Sequence, residues 1–423
     1  MLSHKNILSN ALAIKNASLV KPGSRALSFL PLNHIYERTV VYLYIYLSVG
    51  VYYAENMDKI GENLKEVKPH TFNTVPRLLE KVYDKIIKKG SELSGLKKGV
   101  FNWAINLGLK YDPNAKQNAI QKRQLKVARK LVFSKWQEAL GGNLVQIQSG
   151  AASLQPRLAS VFWAAGIKIF EGYGLTETSP VIAANTPEKM KIGTVGPAVD
   201  GVEIRFGEDK EIEVKGPNIM MGYYNDENLT REVFTKDGWL KTGDVGRMDE
   251  GCLRITDRKK ELFKTSGGLY IAPQQIENKL KEALIIENAM VIGDGKKFPA
   301  ALIVPNFEEL TEIASKRFIL FADYASIIKN SEIQKLFKKE IERINEEYGK
   351  WEKIKDYRLV PHQWSMDTGE LTPTLKLKRR VIFDKYRDLI EDIYREDGSH
   401  LFDDVTEVDE NELDKEILEE IRD

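Results

Sequence analysis

Apolar and polar positions alternate along this chain with two different periods, and the change of period marks its elements. Arg25 to Pro31 reads as a strand that runs into the polar cluster Asn33-His34, and helical spacing follows from Tyr36 to Leu47. Thr74-Val75-Pro76 predicts a helix start, with Thr74 as the cap and Pro76 in the first turn. That helix carries Leu79, Val82, Tyr83 and Ile86. Lys89 to Lys130 is basic and poor in β-branched residues, which predicts helices and surface loops. Leu144 to Ile147 and Ile167 to Phe170 are short apolar runs, each closed by a glycine-containing turn, with helical Val161 to Ala165 between them. A strand–helix–strand alternation of this kind predicts a parallel sheet. From Gly201 to Thr256 short strands (Val202–Ile204, Glu211–Val214, Leu253–Ile255) alternate with turns, as in a β-rich subdomain.

After Asp257 the pattern shifts again. Pro273 to Leu284 reads as a helix, Ala289 to Ile292 and Ala301 to Val304 as strands, and Ile333 to Tyr348 as a helix. A last long helix sets Val381, Ile382, Tyr386, Leu389, Ile390 and Ile393 on one face. The expected fold class is α/β: a large domain of parallel-sheet layers plus a β-rich subdomain over 1–256, a hinge at 257–260, and a small α+β domain over 261–423. Beyond His400 the chain is rich in Asp and Glu, as in a solvated helix or a disordered tail.

Composition narrows the field without naming a chemistry. The formal charge of +1 on 423 residues gives no global field for nucleic acid or an anionic membrane. Cys252 is the single cysteine, so no intrachain disulfide forms, which fits a reducing, cytoplasmic setting. No secretory signal is readable behind Met1. The most apolar stretch, Val40 to Tyr53, is too short to span a bilayer. It reads as a core helix or strand, or as a patch that touches lipid or an acyl chain.

Four segments carry candidate chemistry. Glu171-Gly172-Tyr173-Gly174-Leu175-Thr176-Glu177-Thr178 follows a strand. Gly172 and Gly174 allow close approach of a ligand, Tyr173 offers a ring for a base, Thr176 a hydroxyl, and Glu177 a hard oxygen for Mg²⁺. A plain glycine-rich turn reads equally well. Thr242-Gly243-Asp244 places a carboxylate after a tight turn, where it can accept both hydroxyls of a ribose or simply cap its own backbone. Asp257-Arg258-Lys259-Lys260-Glu261 through Thr265-Ser266-Gly267-Gly268 is a charge run at the domain boundary ending in a glycine pair, as a hinge would. It lacks the spacing of a P-loop. Lys376 lies in the loop Gly369-Glu370-Leu371-Thr372-Pro373-Thr374-Leu375-Lys376, where an ammonium can neutralise developing phosphate charge; a plain surface lysine is the alternative.

In this order the four segments resemble the adenylate-forming ligase superfamily of acyl-CoA synthetases, luciferases and nonribosomal adenylation domains. Lys215 to Tyr224 is similar to a further family segment, and Leu30 to Arg38 with Lys260 to Pro273 resemble the long-chain fatty acid–CoA ligase branch. The resemblance implies an AMP-forming activation of a fatty acid by ATP with Mg²⁺, then transfer to coenzyme A. It implies that Ala151 and Ala152 line the adenine pocket, Tyr173 stacks on the base between Gly172 and Gly174, and Thr176 contacts the α-phosphate. Glu177 would hold Mg²⁺, Asp244 and Arg258 would grip the ribose, Lys376 would bridge carboxylate and phosphate, and His34 would sit where they meet. Lys260 would be the hinge, and Lys264, Gly267 and Gly268 would turn toward coenzyme A.

One departure sets a further expectation. The family's Gly/Thr/Ser-rich phosphate loop, expected just before the segment matching Met1 to Asn6, is absent from this sequence together with what precedes it. The expectation is a truncated large domain, impaired adenylation by the chain alone, and exposed apolar surface. The alternatives are a non-catalytic paralogue or a subunit that docks on a complementing N-terminal chain, and a chain that keeps only thioester formation. A fatty acid substrate adds the expectation of a peripheral membrane contact.

Overall fold

The structure, a computed structural model, describes residues 1–372 and 375–395. Pro373 and Thr374 of the lysine loop and the acidic tail beyond His400 lie outside the described residues. The chain divides into two compact units, Met1–Lys259 and Lys260–Asp423.

In the first unit the described residues build a six-stranded sheet from β1 (Arg25–Ser28), β2 (Gly50–Tyr53), β3 (Thr71–Thr74), β4 (Gln146–Ser149), β5 (Ile169–Gly174) and β6 (Val181–Ala184), in the order β2-β1-β3-β4-β5-β6. All pairings are parallel except β5 with β6. Parallel returns require crossovers, and the helices Ile35–Tyr46, Ile60–Val67, Pro76–Ser91, Gly95–Leu109 and Pro156–Ala164 supply them. Leu27, Phe72, Ile147 and Ile169 are direct register partners across β1, β3, β4 and β5, so they form one apolar row on one face. That row packs against Leu79, Phe101, Trp136 and Phe162 of the helices. Trp136 meets Tyr83, Phe133 and Phe162 edge to face. Ala26 points the other way, as strand alternation demands, into a second core with Val40, Tyr44 and Ile182.

That second core continues into an antiparallel sheet of β7 (Glu203–Phe206), β8 (Glu211–Lys215), β9 (Leu240–Asp249) and β10 (Cys252–Arg258), ordered β10-β9-β8-β7. Ile212, Val214 and Leu253 are its contribution to the shared core. Among the described residues of the second unit, β11 (Phe263–Lys264) and β12 (Tyr270–Ile271) form a hairpin, and β13 (Ile286–Ile292), β14 (Ala300–Pro305) and β15 (Asp356–Leu359) a three-stranded sheet. Phe307, Phe337, Ile341 and Ile382 cover that sheet.

Several sequence expectations shift. Thr74 is not a helix cap: it is the last residue of β3, and Val75 precedes Pro76 without a side-chain cap. The last long helix is two short ones, Arg379–Lys385 and Arg387–Ile393, broken at Tyr386. Ile382, Tyr386, Ile390 and Ile393 still share the buried side, but Val381 is exposed. Thr242-Gly243-Asp244 is no loop turn; it lies inside β9. Gly267 and Gly268 form the turn of the β11–β12 hairpin, closed by Gly268 N–H to the Thr265 carbonyl at 2.9 Å. The Val40–Tyr53 run is half core and half surface. Val40, Val41, Leu43 and Tyr44 are buried, whereas Ile45 is 65% and Tyr53, on the edge strand β2, 60% exposed. Among the described residues no helix is long and apolar enough to cross a membrane.

Phe162→Ala removes a fully buried ring from beneath Trp136. It should cost ~3–5 kcal/mol, read as a lower urea midpoint at unchanged slope; an unchanged midpoint would refute this account of the core.

Candidate functional site

β1, β3, β4 and β5 run parallel, so their carboxyl ends share one edge of the sheet, and β1 is a switch point with β2 on one side and β3 on the other. Ligand crevices of open α/β sheets form at such places. The segment after β1 brings His34, which opens the helix Ile35–Tyr46: its Nδ1 accepts the Tyr36 N–H at 3.3 Å. The Tyr36 hydroxyl donates to the Gln148 carbonyl at 3.1 Å, and its ring lies against Gly150. The loop after β1 is thereby tied to the loop after β4, which carries Ala151 and Ala152. Ala151 holds φ of 70°, a left-handed conformation rare outside glycine and often found at functional loops.

Beneath these loops lie two buried carboxyls that sequence reasoning left without a role. Glu37 accepts the Ser28 hydroxyl at 2.6 Å and the Asn73 amide at 2.9 Å, joining the ends of β1 and β3. Burial pushes its carboxyl up to about 7 against the pull of those hydrogen bonds. Glu171 accepts the Leu154 N–H at 3.4 Å from below the Ala151 loop. Burial raises it to about 8, opposed by that N–H and by Arg254. The available signal for Glu37 was its place one helical turn after His34, on the side that also carries Val40 and Val41.

The two glycines after Glu171 have different reasons. A Cβ on Gly174 would lie 1.7 Å from the Pro180 carbonyl oxygen, so packing alone excludes any side chain there. A Cβ on Gly172 would meet only ordinary contacts, 3.7 Å from the Ala183 oxygen. The protein's own packing therefore does not require a glycine at position 172.

Tyr173 and Asp244 meet: the phenol donates to Asp244 Oδ2 at 2.6 Å. Burial first, then the Asp244 charge, pushes the Tyr173 hydroxyl well above its usual range. Asp244 gets its position from a bulge: Glu211 faces Val245 while Glu213 faces Lys241, so residues 242–244 on β9 stand opposite one residue of β8. Gly243 turns that bulge with φ of 73°. Arg258 is the β10 register partner of Asp244 and places Nε 3.4 Å from Oδ1. Thr176 is exposed in the turn after β5, and Glu177 accepts the Tyr223 hydroxyl at 2.9 Å. Burial and the Glu177 charge raise that hydroxyl to about 12.

Tyr173, Asp244 and Arg258 are thus in mutual reach, and Gly172, Gly174, Thr176 and Glu177 ride on the same strand end. Among the described residues no group of three or more His, Cys, Asp or Glu side chains could hold a metal ion. Glu177, whose Oε1 accepts the Tyr223 hydroxyl, is the carboxylate that would hold Mg²⁺ if substrate phosphates supplied further oxygens.

In the second unit, Lys376 sits on a narrow hairpin. Leu371 and Leu377 bridge, Thr372 N–H donates to the Lys376 carbonyl at 2.9 Å, and Lys376 N–H donates to Thr372 Oγ1 at 3.0 Å. Its base is fixed: the buried Glu370 carboxylate is held by Lys385 and Thr368, and Arg379 grips Glu277 through both carboxylate oxygens. Lys260 is an exposed turn residue, and Lys264 extends over the Tyr270 ring, 4.5 Å from its centre.

Residues 1–224 match the family model described as AMP-binding enzyme, and residues 262–398 match that of the AMP-binding enzyme C-terminal domain. The chain belongs to the AMP-binding enzymes. It is 35% identical to a long-chain-fatty-acid–CoA ligase, FadD15, of Mycobacterium bovis over 90% of this chain and 64% of that one. It is 33% identical to long-chain-fatty-acid–CoA ligase 5 of Rattus norvegicus over 93% of this chain and 60% of that one. The chain therefore spans less than two thirds of the length of these relatives. The adenylation domain of a carboxylate reductase from Mycobacterium chelonae superposes with a TM-score of 0.69 at 19% identity, over 92% of this chain and 56% of that one. ATP-bound MatB from Rhodopseudomonas palustris superposes with a TM-score of 0.63 at 21% identity, over 92% and 65%. These likenesses establish the adenylate-forming fold of this AMP-binding enzyme, a mixed α/β chain with a separate C-terminal domain.

Two expected outcomes follow from the geometry. Gly174→Ala should destabilise the chain by ~1–3 kcal/mol or more through overpacking, while Gly172→Ala should leave the melting temperature in place and weaken AMP binding in calorimetric titration. Equal melting temperatures for all three proteins would overturn the packing argument. For Glu37, the carboxyl titrates at 4.5 in its ordinary state and about 7 in the fold, so the folded chain holds the extra proton in between. Its contribution to stability is complete below pH 4.5 and is lost as pH rises toward 7. Glu37→Gln should remove a decline of roughly 3 kcal/mol across that window, measured as the difference in urea stability between variant and wild type at each pH. Parallel pH profiles for the two proteins would count against it.

Proposed function

We propose that this AMP-binding enzyme activates a long-chain fatty acid with ATP and passes the acyl group to coenzyme A. The observation that carries the reading is the Tyr173–Asp244–Arg258 constellation at the carboxyl edge of the sheet, in a chain whose relatives are named long-chain-fatty-acid–CoA ligases. Asp244 takes the ribose hydroxyls with Arg258 beside it, and the Tyr173 ring, held by its hydroxyl, flanks the base. Ala151 and Ala152 offer backbone to the adenine, and Gly172 leaves room for it. Thr176 faces the α-phosphate, and Glu177 would hold Mg²⁺, which when bound would screen the phosphate charge.

In the first step a carboxylate oxygen attacks the α-phosphorus and pyrophosphate leaves. Two anions meet there, so cations lower the barrier, and Lys376 supplies one on its stiff-based hairpin. His34 lies beside the meeting point. In the second step the sulfur of coenzyme A attacks the acyl carbonyl, the bond from the acyl carbon to the bridging anhydride oxygen breaks so that AMP leaves with that oxygen, and the thiol proton goes to solvent. We assign Lys260 as the pivot between the steps, and Lys264 with Gly267 and Gly268 to the coenzyme A side. Long-chain fatty acids partition into bilayers, so we place the reaction in the cytoplasm at a membrane surface.

The test is thioester formation from hexadecanoate, ATP, Mg²⁺ and coenzyme A, read by mass spectrometry, alongside AMP binding. Asp244→Ala should weaken AMP by about tenfold or more, the worth of a charge-assisted contact. Lys376→Ala should lower adenylation ~100-fold or more while sparing thioester formation from synthetic acyl-adenylate. A chain that binds no AMP and makes no thioester from either starting point would sink the reading.

A second reading, a chain that docks on a complementing polypeptide, is favoured by the exposed edge of β2 with Tyr52, Tyr53, Ile45 and Tyr46. Its expected outcome is a stable complex that Tyr53→Lys disrupts; a Tyr53→Lys chain that behaves as wild type in size-exclusion chromatography of that complex would remove it.

A further inference from the structure

The bulge that carries Asp244 is fastened to the last residue of the first unit by a buried carboxylate that no step above uses. Glu211 Oε1 accepts the Gly243 N–H at 3.0 Å, in the middle of the bulge. Its other oxygen, Oε2, accepts from the Lys259 ammonium at 2.8 Å. Lys259 also pairs with Asp209, whose own carboxylate accepts the Glu211 N–H at 3.2 Å. The backbone closes the ring: Lys259 N–H donates to the Gly243 carbonyl at 2.8 Å. Both polar backbone groups of Gly243 are therefore spoken for, one by Glu211 and one by Lys259. Gly243 needs such anchoring, because a glycine at φ of 73° has many other conformations open to it. Glu211 is buried while Lys259 and Asp209 are half exposed, so the clasp has a fixed inner member and a solvent-facing lock.

We propose that Asp209, Glu211 and Lys259 form a positioning clasp that holds the Thr242–Asp244 bulge in its ribose-gripping shape. The proposal rests on the nucleotide reading of Asp244. Glu211 touches no substrate; it acts by fixing Gly243, and through it Asp244 and its contacts to Tyr173 and Arg258. The charge arrangement fits the role, since the two carboxylates keep the Lys259 ammonium charged well above its usual range.

The experiment compares AMP with 2′,3′-dideoxy-AMP by calorimetric titration of the full chain, with a thermal melt of every variant. Glu211→Ala and Lys259→Met should each lose about tenfold in AMP affinity and little for the dideoxy nucleotide, which makes no use of Asp244. Lys259→Arg, which keeps both ion pairs, should retain the wild-type preference. Lys259 is half exposed, so Lys259→Met tests the clasp even where Glu211→Ala fails to fold. Equal losses for both nucleotides, or no loss for either variant, would overturn the clasp. Wild-type chain that binds AMP without preference for the hydroxyls would overturn the reading of Asp244, and the clasp with it.

Discussion

A carboxylate taken out of water must find donors, and the position of Asp244 shows what that demand does to the rest of the first unit. Its donors come from two sheets: the Tyr173 phenol from the parallel sheet and the Arg258 guanidinium from the antiparallel one. The two sheets can meet in this way because they share a core, with Ile182 of one packed in the same cluster as Ile212 and Val214 of the other. The Tyr173 ring is then oriented by its own hydroxyl, and the β9 bulge is set at the height where Asp244 reaches it. The geometry that the proposed function assigns to the nucleotide is thus a by-product of satisfying one buried charge.

The loops at the carboxyl edge are braced from below by further buried acids. Glu37 joins the ends of β1 and β3, and Glu171 supports the Ala151 loop. Both have raised titration points because burial disfavours their charged forms more than their few donors favour them. Such groups trade stability for a defined loop shape, since a buried polar network has few satisfactory arrangements.

The second unit separates rigidity from reach in another way. The base of the Lys376 hairpin is held by ion pairs of Glu370 and Arg379, and Lys376 itself is joined across it to Thr372. A point charge delivered by a stiff stem can be aimed; one on a slack loop loses the advantage to reorganisation. The chemistry proposed for this chain needs a cation that is placed for one step and dispensable in the next, and a hairpin on a separate unit meets that need.

Motif order determined the family, and hydrophobic period the parallel sheet and the β-rich subdomain, because each depends on local pattern: Leu27, Ile147 and Ile169 lie in apolar runs readable one by one, whereas Phe72 stands between Thr71 and Asn73 and its strand carried no such signal. Tertiary structure decided what depends on a distant neighbour. Gly174 is glycine because of Pro180, not because of a ligand, and the Gly243 turn is a strand bulge because β8 lies opposite it. Tyr386 ends a helix that periodicity alone would continue. Glu37, Glu171 and Glu211 look like any surface acid in the sequence, since burial and hydrogen-bond partners are set by residues far along the chain, and only the fold brings those partners within reach.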